Sequence, residues 1–212
     1  MNAARRRYAI ALVVVAACAE PTIPDRTAGY GFTDFLGNVF HWPSDRLPVR
    51  VYADPRGGLP TFVARGIDLW EQQFLYGEFR GVMTSDSTHA DVIVLWADSV
   101  PPDVPPDNGP AAKACGGLTT AYIDSTGTAL TGPFRTQINI LTGTVYTAAQ
   151  VNACVRRTAV HELGHGLGLL QESPDSLRDI MASPPHVNLP GDRDRQTVEL
   201  LYHTTPTLRP AP

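Results

Sequence analysis

The sequence predicts an α/β (α+β) protein in which a sheet packs against long helices. Two observations support this class. Apolar strand-like segments alternate along the chain with segments of helical periodicity, a pattern typical of a sheet covered by helices. The chain has 212 residues, of which 43% are hydrophobic, and this length and composition suit one globular domain.

The first strand and the first helix follow each other closely. The segment 48–53 alternates apolar and polar residues and predicts a strand, which ends at the turn-forming run 54–58. Apolar residues then recur at helical spacing and predict an amphipathic helix from about residue 60 to residue 76. These residues are Phe62, Val63, Ile67, Leu69, Trp70, Phe74 and Leu75.

Three further strands are predicted in the middle of the chain. The segment 90–96 is too apolar for an exposed strand and suits a central one that is covered on both faces. The segments 117–124 and 137–141 have the composition of two more strands. Between them and the central strand lies a Pro-rich loop. Its Asp103, Asp107 and Asn108 could bind calcium, but a solvated loop explains this composition better, so a calcium site is possible but unsupported.

A second helix begins at a capping box formed by Thr147 and Gln150. It continues through the apolar positions of the segment 151–163 and into a glycine-rich stretch. Gly164, Gly166 and Gly168 each weaken a helix by about 1 kcal/mol relative to alanine, so close packing or a required turn must compensate. Gly168 is well placed to end the helix in a left-handed conformation. The segment 192–203 has an apolar side and predicts a third helix.

The N-terminus has the features of an export signal. Three arginines at positions 5–7 precede a short apolar stretch, 8–17, which is too short to span a bilayer. The run Val-Ala-Ala before Cys18 resembles a bacterial lipobox, which predicts lipidation of Cys18 and an envelope protein anchored to a membrane by its acyl chains. The alternative is a plain signal peptide that is cleaved nearby. The predicted organisation is a lipoprotein signal peptide (1–17), a tether leading into the domain (18–46), a catalytic domain (47–205) and a Pro-rich tail (206–212).

Charge and cysteine content restrict the partners. Without residues 1–17 the chain loses three arginines and keeps 14 basic and 21 acidic residues, a formal charge of −7, which disfavours nucleic-acid binding. We expect a monomer. Once Cys18 is assigned to lipidation, Cys115 and Cys154 remain, and in an exported protein this pair favours one disulfide. Two buried free thiols are the alternative.

The candidate chemistry lies in the stretch HELGHGLGLLQES, residues 161–173. His161 and His165 are four residues apart on the second helix, so both imidazoles can face one zinc ion. Zinc lowers the pKa of a bound water to about 7, and Glu162 beside that face can act as the general base for attack on a carbonyl. The alternative is a buried helix whose histidines form only internal hydrogen bonds.

The motif resembles that of the metzincin metalloproteases, most closely the matrixin-like branch, whose pattern is HExxHxxGxxH followed by a methionine turn. His161, Glu162, His165 and Gly168 match the pattern, and the segment 179–184 around Met181 looks like the methionine turn. The resemblance covers about residues 47 to 203. It implies a twisted mixed sheet with an antiparallel edge strand, two long helices, the methionine turn and a C-terminal helix.

The resemblance also implies an activity and a place for the substrate. The family hydrolyses peptide bonds with one catalytic zinc ion, so the implied function is a zinc endopeptidase acting on peptides or proteins. An extended substrate would add as a strand to the sheet edge. The residues implied for this edge are Gly117, Leu118, Thr119, Thr120 and Ala121. A non-catalytic binding or structural lipoprotein on a degenerate scaffold of this type is the competing hypothesis.

The third zinc ligand is the position at which the chain departs from the family pattern. In strict register the third histidine would stand at Gln171, whose neutral amide binds zinc weakly. One residue further is Glu172, which would complete a His₂Glu set known from other zinc hydrolases. We predict Glu172 as the third ligand, with Gln171 as the alternative.

Overall fold

The computed structural model describes residues 26–97, 115–140 and 147–211, which form five strands and three α-helices. In chain order these are β1 (Val49–Ala53), α1 (Leu59–Glu71), β2 (Gly81–Thr84), β3 (Val92–Ala97), β4 (Cys115–Thr120), β5 (Phe134–Ile140), α2 (Ala148–Leu167) and α3 (Asp192–Tyr202). The strands form one sheet in the order β2-β1-β3-β5-β4. Only β4 runs antiparallel to its neighbour, so the sheet is mixed and the α/β class is confirmed.

The first helix is shorter than predicted, and the strand after it was not predicted. α1 ends at Glu71 because the chain turns there and Phe74 leaves the helix to pack against Phe79 and Tyr202, at ring distances of 5.9 and 4.8 Å. Gly77, at a φ of 71°, helps to turn the chain towards β2. β2 is four residues long and none of them is fully buried. So short a segment does not show the apolar alternation that marks a strand in a sequence.

The two strands nearest the predicted site pair over six residues, from Cys115 opposite Ile140 to Thr120 opposite Arg135. The prediction for β4 was shifted towards its C-terminus, and the prediction for β5 began too late. Cross-strand pairing sets these limits, and a single sequence does not contain that information. β4 is an edge strand, since among the described residues it pairs with β5 alone.

The second helix forms as predicted. Thr147 is its N-cap, and the side chains of Thr147 and Gln150 make the reciprocal bonds of a capping box. Gly168 ends the helix at a φ of 110°, in the left-handed region where glycine is favoured. α2 packs against α1, where the Trp70 indole donates a hydrogen bond to the carbonyl of Val160 at 2.8 Å.

The domain includes residues from both flanking segments. Phe40 is fully buried, Trp42 is 3% exposed, and the Trp42 indole donates to the carbonyl of Gly166 on α2 at 2.8 Å. At the other end Leu208 is 1% exposed, within the segment predicted as a tail. The packed domain thus extends beyond the predicted limits of 47 and 205 on both sides, because these large apolar side chains complete its core.

Several sequence predictions concern parts of the chain outside the described residues. They include the signal segment 1–17, the lipidation site Cys18 and the possible calcium ligands Asp103, Asp107 and Asn108. Within the ranges that the structure describes, none of the helices combines the length and the apolar character needed to cross a membrane.

Candidate metal centre

The two histidines of the motif are held in matching orientations at the end of α2. His161 Nδ1 lies 2.8 Å from the carbonyl of Ile180, and His165 Nδ1 lies 2.5 Å from the carbonyl of Leu169. A carbonyl only accepts, so both Nδ1 atoms carry the hydrogen, and each Nε2 has a free lone pair when its ring is neutral. This arrangement of outer hydrogen bonds is typical of histidines that bind a metal.

The Glu172 carboxylate lies next to both imidazoles. Its Oε1 is 3.5 Å from His161 Nε2 and 3.5 Å from His165 Nε2. Among the described residues, this is the one group of three side chains whose potential ligand atoms all lie within 4.8 Å of one another. Atoms bound to a tetrahedral zinc at about 2.0–2.1 Å lie about 3.3–3.4 Å apart, and the two distances from Glu172 Oε1 are close to this separation.

Gln171, the alternative ligand, is directed elsewhere. A Cβ atom built on Gly31 would lie only 2.0 Å from Gln171 Oε1, so the amide rests against Gly31 in the N-terminal segment. The loop after Gly168 is fixed by backbone hydrogen bonds on both sides of Gln171 and Glu172. Leu170 donates its N–H to the carbonyl of Phe32 at 3.1 Å, and Ser173 donates its N–H to the carbonyl of Met181 at 2.8 Å. These contacts bring Glu172, one residue later than the strict register, to the histidines.

The three candidate ligands also interact electrostatically. Burial lowers the pKa of His161, but the hydrogen bond to Glu172 and the charges of Glu162 and Glu172 outweigh burial and raise this pKa to about 9. Burial raises the pKa of Glu172, but its hydrogen bonds to His161 and His165 outweigh burial and lower this pKa to about 2. Without a metal, the negative carboxylate and a protonated imidazole therefore stabilise each other.

Glu162 lies beside this group and is 3% exposed. Its Oε1 is 3.9 Å from His161 Nε2, and its Oε2 accepts a hydrogen bond from the Thr119 hydroxyl at 2.6 Å. A Cβ atom on Gly117 would lie 2.2 Å from Glu162 Oε1, so β4 accommodates the carboxylate only because residue 117 has no side chain. The carboxylate of Glu162 is therefore held between α2 and the edge strand.

Met181 forms a floor beneath α2, which we call the methionine floor. Its side chain is fully buried, and a Cβ atom on Gly164 would lie 2.2 Å from its sulfur, so Gly164 allows this close approach. The buried carboxylate of Asp194 accepts hydrogen bonds from the N–H groups of Ile180 and Met181, at 3.0 and 3.4 Å. Because Ile180 also binds His161, this network links α3 to the orientation of one candidate ligand.

A cleft of about 250 Å³ opens beside the candidate ligands. It is lined by Gly117, Leu118, Thr119, Ala121, Phe134, Glu162, His165, Leu170 and Glu172. Four of the five residues predicted for the substrate edge therefore lie along this cleft, whereas Thr120 is not among its lining residues. Ala121 follows directly after β4 rather than lying within it.

The two cysteines at the start of β4 and in α2 form a disulfide. The Cys115 and Cys154 sulfurs are 2.09 Å apart, and the bond joins the start of the edge strand to α2. It lies two residues before Gly117, the glycine that contacts Glu162. The bond thus ties the two elements that hold the Glu162 carboxylate.

Three residues near the site make contacts that the sequence did not predict. Thr119 binds Glu162, Thr136 on β5 binds Thr119, and Asp194 holds the backbone of the methionine floor. Thr119 and Asp194 lie within predicted elements, but their partners are far away in the chain. Only a predicted pairing of β4 with β5 could have connected Thr119 to Thr136.

In comparisons with known proteins, the chain matches no protein-family model, and no curated protein matches it with significance.

Proposed function

We propose that this protein is a zinc-dependent endopeptidase of the metzincin type, most similar to the matrixin-like branch. One observation carries the proposal: the Nε2 atoms of two imidazoles and the Glu172 carboxylate converge at distances that suit zinc, with Glu162 beside them. His161, His165 and Glu172 would hold the ion. Bound there, zinc would polarise the substrate carbonyl and lower the pKa of a water molecule to about 7.

The protein's own groups supply the proton transfers and the orientation. Glu162 takes a proton from the attacking water at Oε1, the oxygen nearer to His161, and returns it to the nitrogen of the leaving amine. Burial of Glu162 keeps this carboxylate away from bulk solvent. The carbonyls of Ile180 and Leu169 hold the two imidazoles in the tautomer that leaves Nε2 free.

The substrate proposed for this site is an extended peptide. β4 is an edge strand along the cleft, and its backbone can pair with a peptide added antiparallel to it. Backbone pairing recognises the main chain of any unfolded segment, so it suits an endopeptidase that acts on peptides or proteins. The competing proposal, a non-catalytic binding lipoprotein on the same scaffold, is motivated by the lack of a third histidine in the motif.

We further propose that the protein is exported and anchored to a membrane through acyl chains on Cys18. The support is the arginine-rich start, the short apolar segment and the Val-Ala-Ala-Cys run. Replacing Cys18 with serine should move the protein from the detergent phase to the aqueous phase of a detergent partition. Unchanged partitioning would show that the anchor is not this cysteine.

The experiment that tests catalysis uses soluble protein lacking residues 1–18 and its Glu162→Gln variant. The wild type should contain about one zinc ion per chain and cleave an unfolded protein. Glu162→Gln should retain zinc, because it keeps the shape of the side chain, but should lose hydrolysis because the amide is not a base. Activity of the variant within tenfold of wild type would refute the role of Glu162. Zinc binding by the wild type without cleavage of any diverse peptide library would favour the non-catalytic alternative.

A further inference from the structure

We propose that Thr119, supported by Thr136, is a positioning residue that directs proton uptake by Glu162 to the carboxylate oxygen facing the metal ligands. This inference rests on the proposed function and adds two hydroxyl groups to its machinery. Neither threonine belongs to the motif on α2. Both lie in the sheet, opposite each other in the register of β4 and β5.

The geometry separates the two oxygens of the Glu162 carboxylate. Oε2 accepts the short hydrogen bond from the Thr119 hydroxyl at 2.6 Å, whereas Oε1 lies 3.9 Å from His161 Nε2. Oε1 also lies against the backbone of Gly117, where no side chain intervenes. One oxygen is therefore bound to the sheet, and the other is turned towards the candidate ligands.

The direction of the hydrogen bonds follows from counting protons. The Thr119 hydroxyl has two acceptors on Glu162, the carboxylate Oε2 at 2.6 Å and the backbone carbonyl at 3.3 Å, and neither can donate to it. Its single proton therefore goes to Glu162, with the shorter bond to the charged oxygen. The Thr136 hydroxyl lies 2.7 Å from the Thr119 oxygen and must then be the donor of that second bond. Thr136 is fully buried, so water does not compete for its proton. The result is one ordered chain, from Thr136 through Thr119 to Glu162.

These ordered hydrogen bonds determine which oxygen of Glu162 takes up the proton in the proposed reaction. The water O–H bond breaks as the oxygen attacks the carbonyl, and the proton needs a free lone pair on Glu162. The Thr119 hydroxyl fixes Oε2 against the sheet and uses one of its lone pairs, whereas Oε1 is turned towards the candidate ligands, so the new O–H bond forms at Oε1. When the peptide C–N bond breaks, the same proton passes from Oε1 to the leaving nitrogen. Thr119 therefore keeps the proton on the side where it is both taken up and delivered.

Three variants test this role in the soluble protein with a peptide substrate. Thr119→Val keeps the shape but removes the donor, and it should lower kcat about 10- to 100-fold, the range for losing a hydrogen bond to a charged group. KM should change little, because backbone pairing on β4 remains. Thr119→Ser restores the hydroxyl and should return kcat to near the wild-type value. Thr61→Val, which removes an exposed hydroxyl on α1, is the matched control.

The outcomes distinguish this inference from the proposed function. An active wild type with an unchanged kcat for Thr119→Val overturns the role of Thr119 but leaves the function intact. A loss of kcat that Thr119→Ser does not restore also overturns it, because the effect then comes from packing. A wild type that cleaves nothing refutes the function. Crystal structures of the wild type and Thr119→Val then decide the positioning: a rotated Glu162 carboxylate supports it, and an unmoved one overturns it.

Discussion

Replacing Glu172 with alanine should remove one of the three proposed zinc ligands, whereas replacing Gln171 should remove none. The structure separates these neighbours clearly. Glu172 Oε1 lies 3.5 Å from both His161 Nε2 and His165 Nε2, while Gln171 Oε1 rests against Gly31. The two changes are matched, because each truncates a side chain of similar length in the same loop.

The size of the effect follows from the ligand count. Zinc sites with four protein ligands bind with about 10–16 kcal/mol, so each ligand contributes about 2.5–4 kcal/mol. Losing Glu172 should therefore weaken zinc binding by about 10²–10³-fold, with a further change from the altered charge of the site. Gln171→Ala should leave the affinity within about threefold of wild type. Glu172→His, which supplies an imidazole, should bind zinc far more tightly than Glu172→Ala.

Competition with a chromophoric chelator at fixed pH measures these affinities without requiring enzymatic activity. Metal-free proteins are prepared by dialysis against a chelator, and circular dichroism verifies that each variant is folded. A strong loss of affinity in Gln171→Ala with little change in Glu172→Ala would refute the assignment. That result would mean that the strict register of the motif holds and that the loop rearranges around the ion.

Three further predictions concern stability and pH. Gly164→Ala should lower the free energy of unfolding by about 1–2 kcal/mol in a urea titration, because the added methyl group overlaps the methionine floor. Gly166→Ala, where an added Cβ meets only ordinary contacts at 3.5 Å, should be neutral or stabilising. Reducing the Cys115–Cys154 disulfide should cost about 2–4 kcal/mol, and thiol titration of the unreduced, unfolded protein should find no reactive pair. In metal-free protein, Glu172→Gln should lower the free energy of unfolding more at pH 6 than at pH 9.5. The reason is the raised pKa of His161, about 9: its charge pairing with Glu172 is fully present below about pH 6.5 and is lost as the pH rises through 9. Equal destabilisation at both pH values would argue against that pairing.

Local sequence patterns were sufficient for the elements that depend on nearby residues. The capping box of Thr147 and Gln150 and the left-handed Gly168 are local devices, and both ends of α2 agree with them. The spacing of His161 and His165 places them on one face of any helix. Local patterns did not predict β2 and the end of α1. Phe74 leaves the helix to pack against Phe79 and Tyr202, and these contacts lie outside the helical pattern.

The motif by itself therefore determined which helix carries the two imidazoles and the neighbouring carboxylate. Ligand chemistry in the sequence favoured Glu172 over Gln171, but only the tertiary structure decided which of the two side chains faces the histidines, through contacts of the loop with Phe32 and Met181. The partners of Glu162 were likewise decided by strand pairing, which brings Thr119 and Thr136 together although each lies in a different strand. The physical reason is the same in both cases. Helical periodicity is determined by residues three or four positions apart, whereas the shape of a site depends on contacts between segments that are distant in the chain.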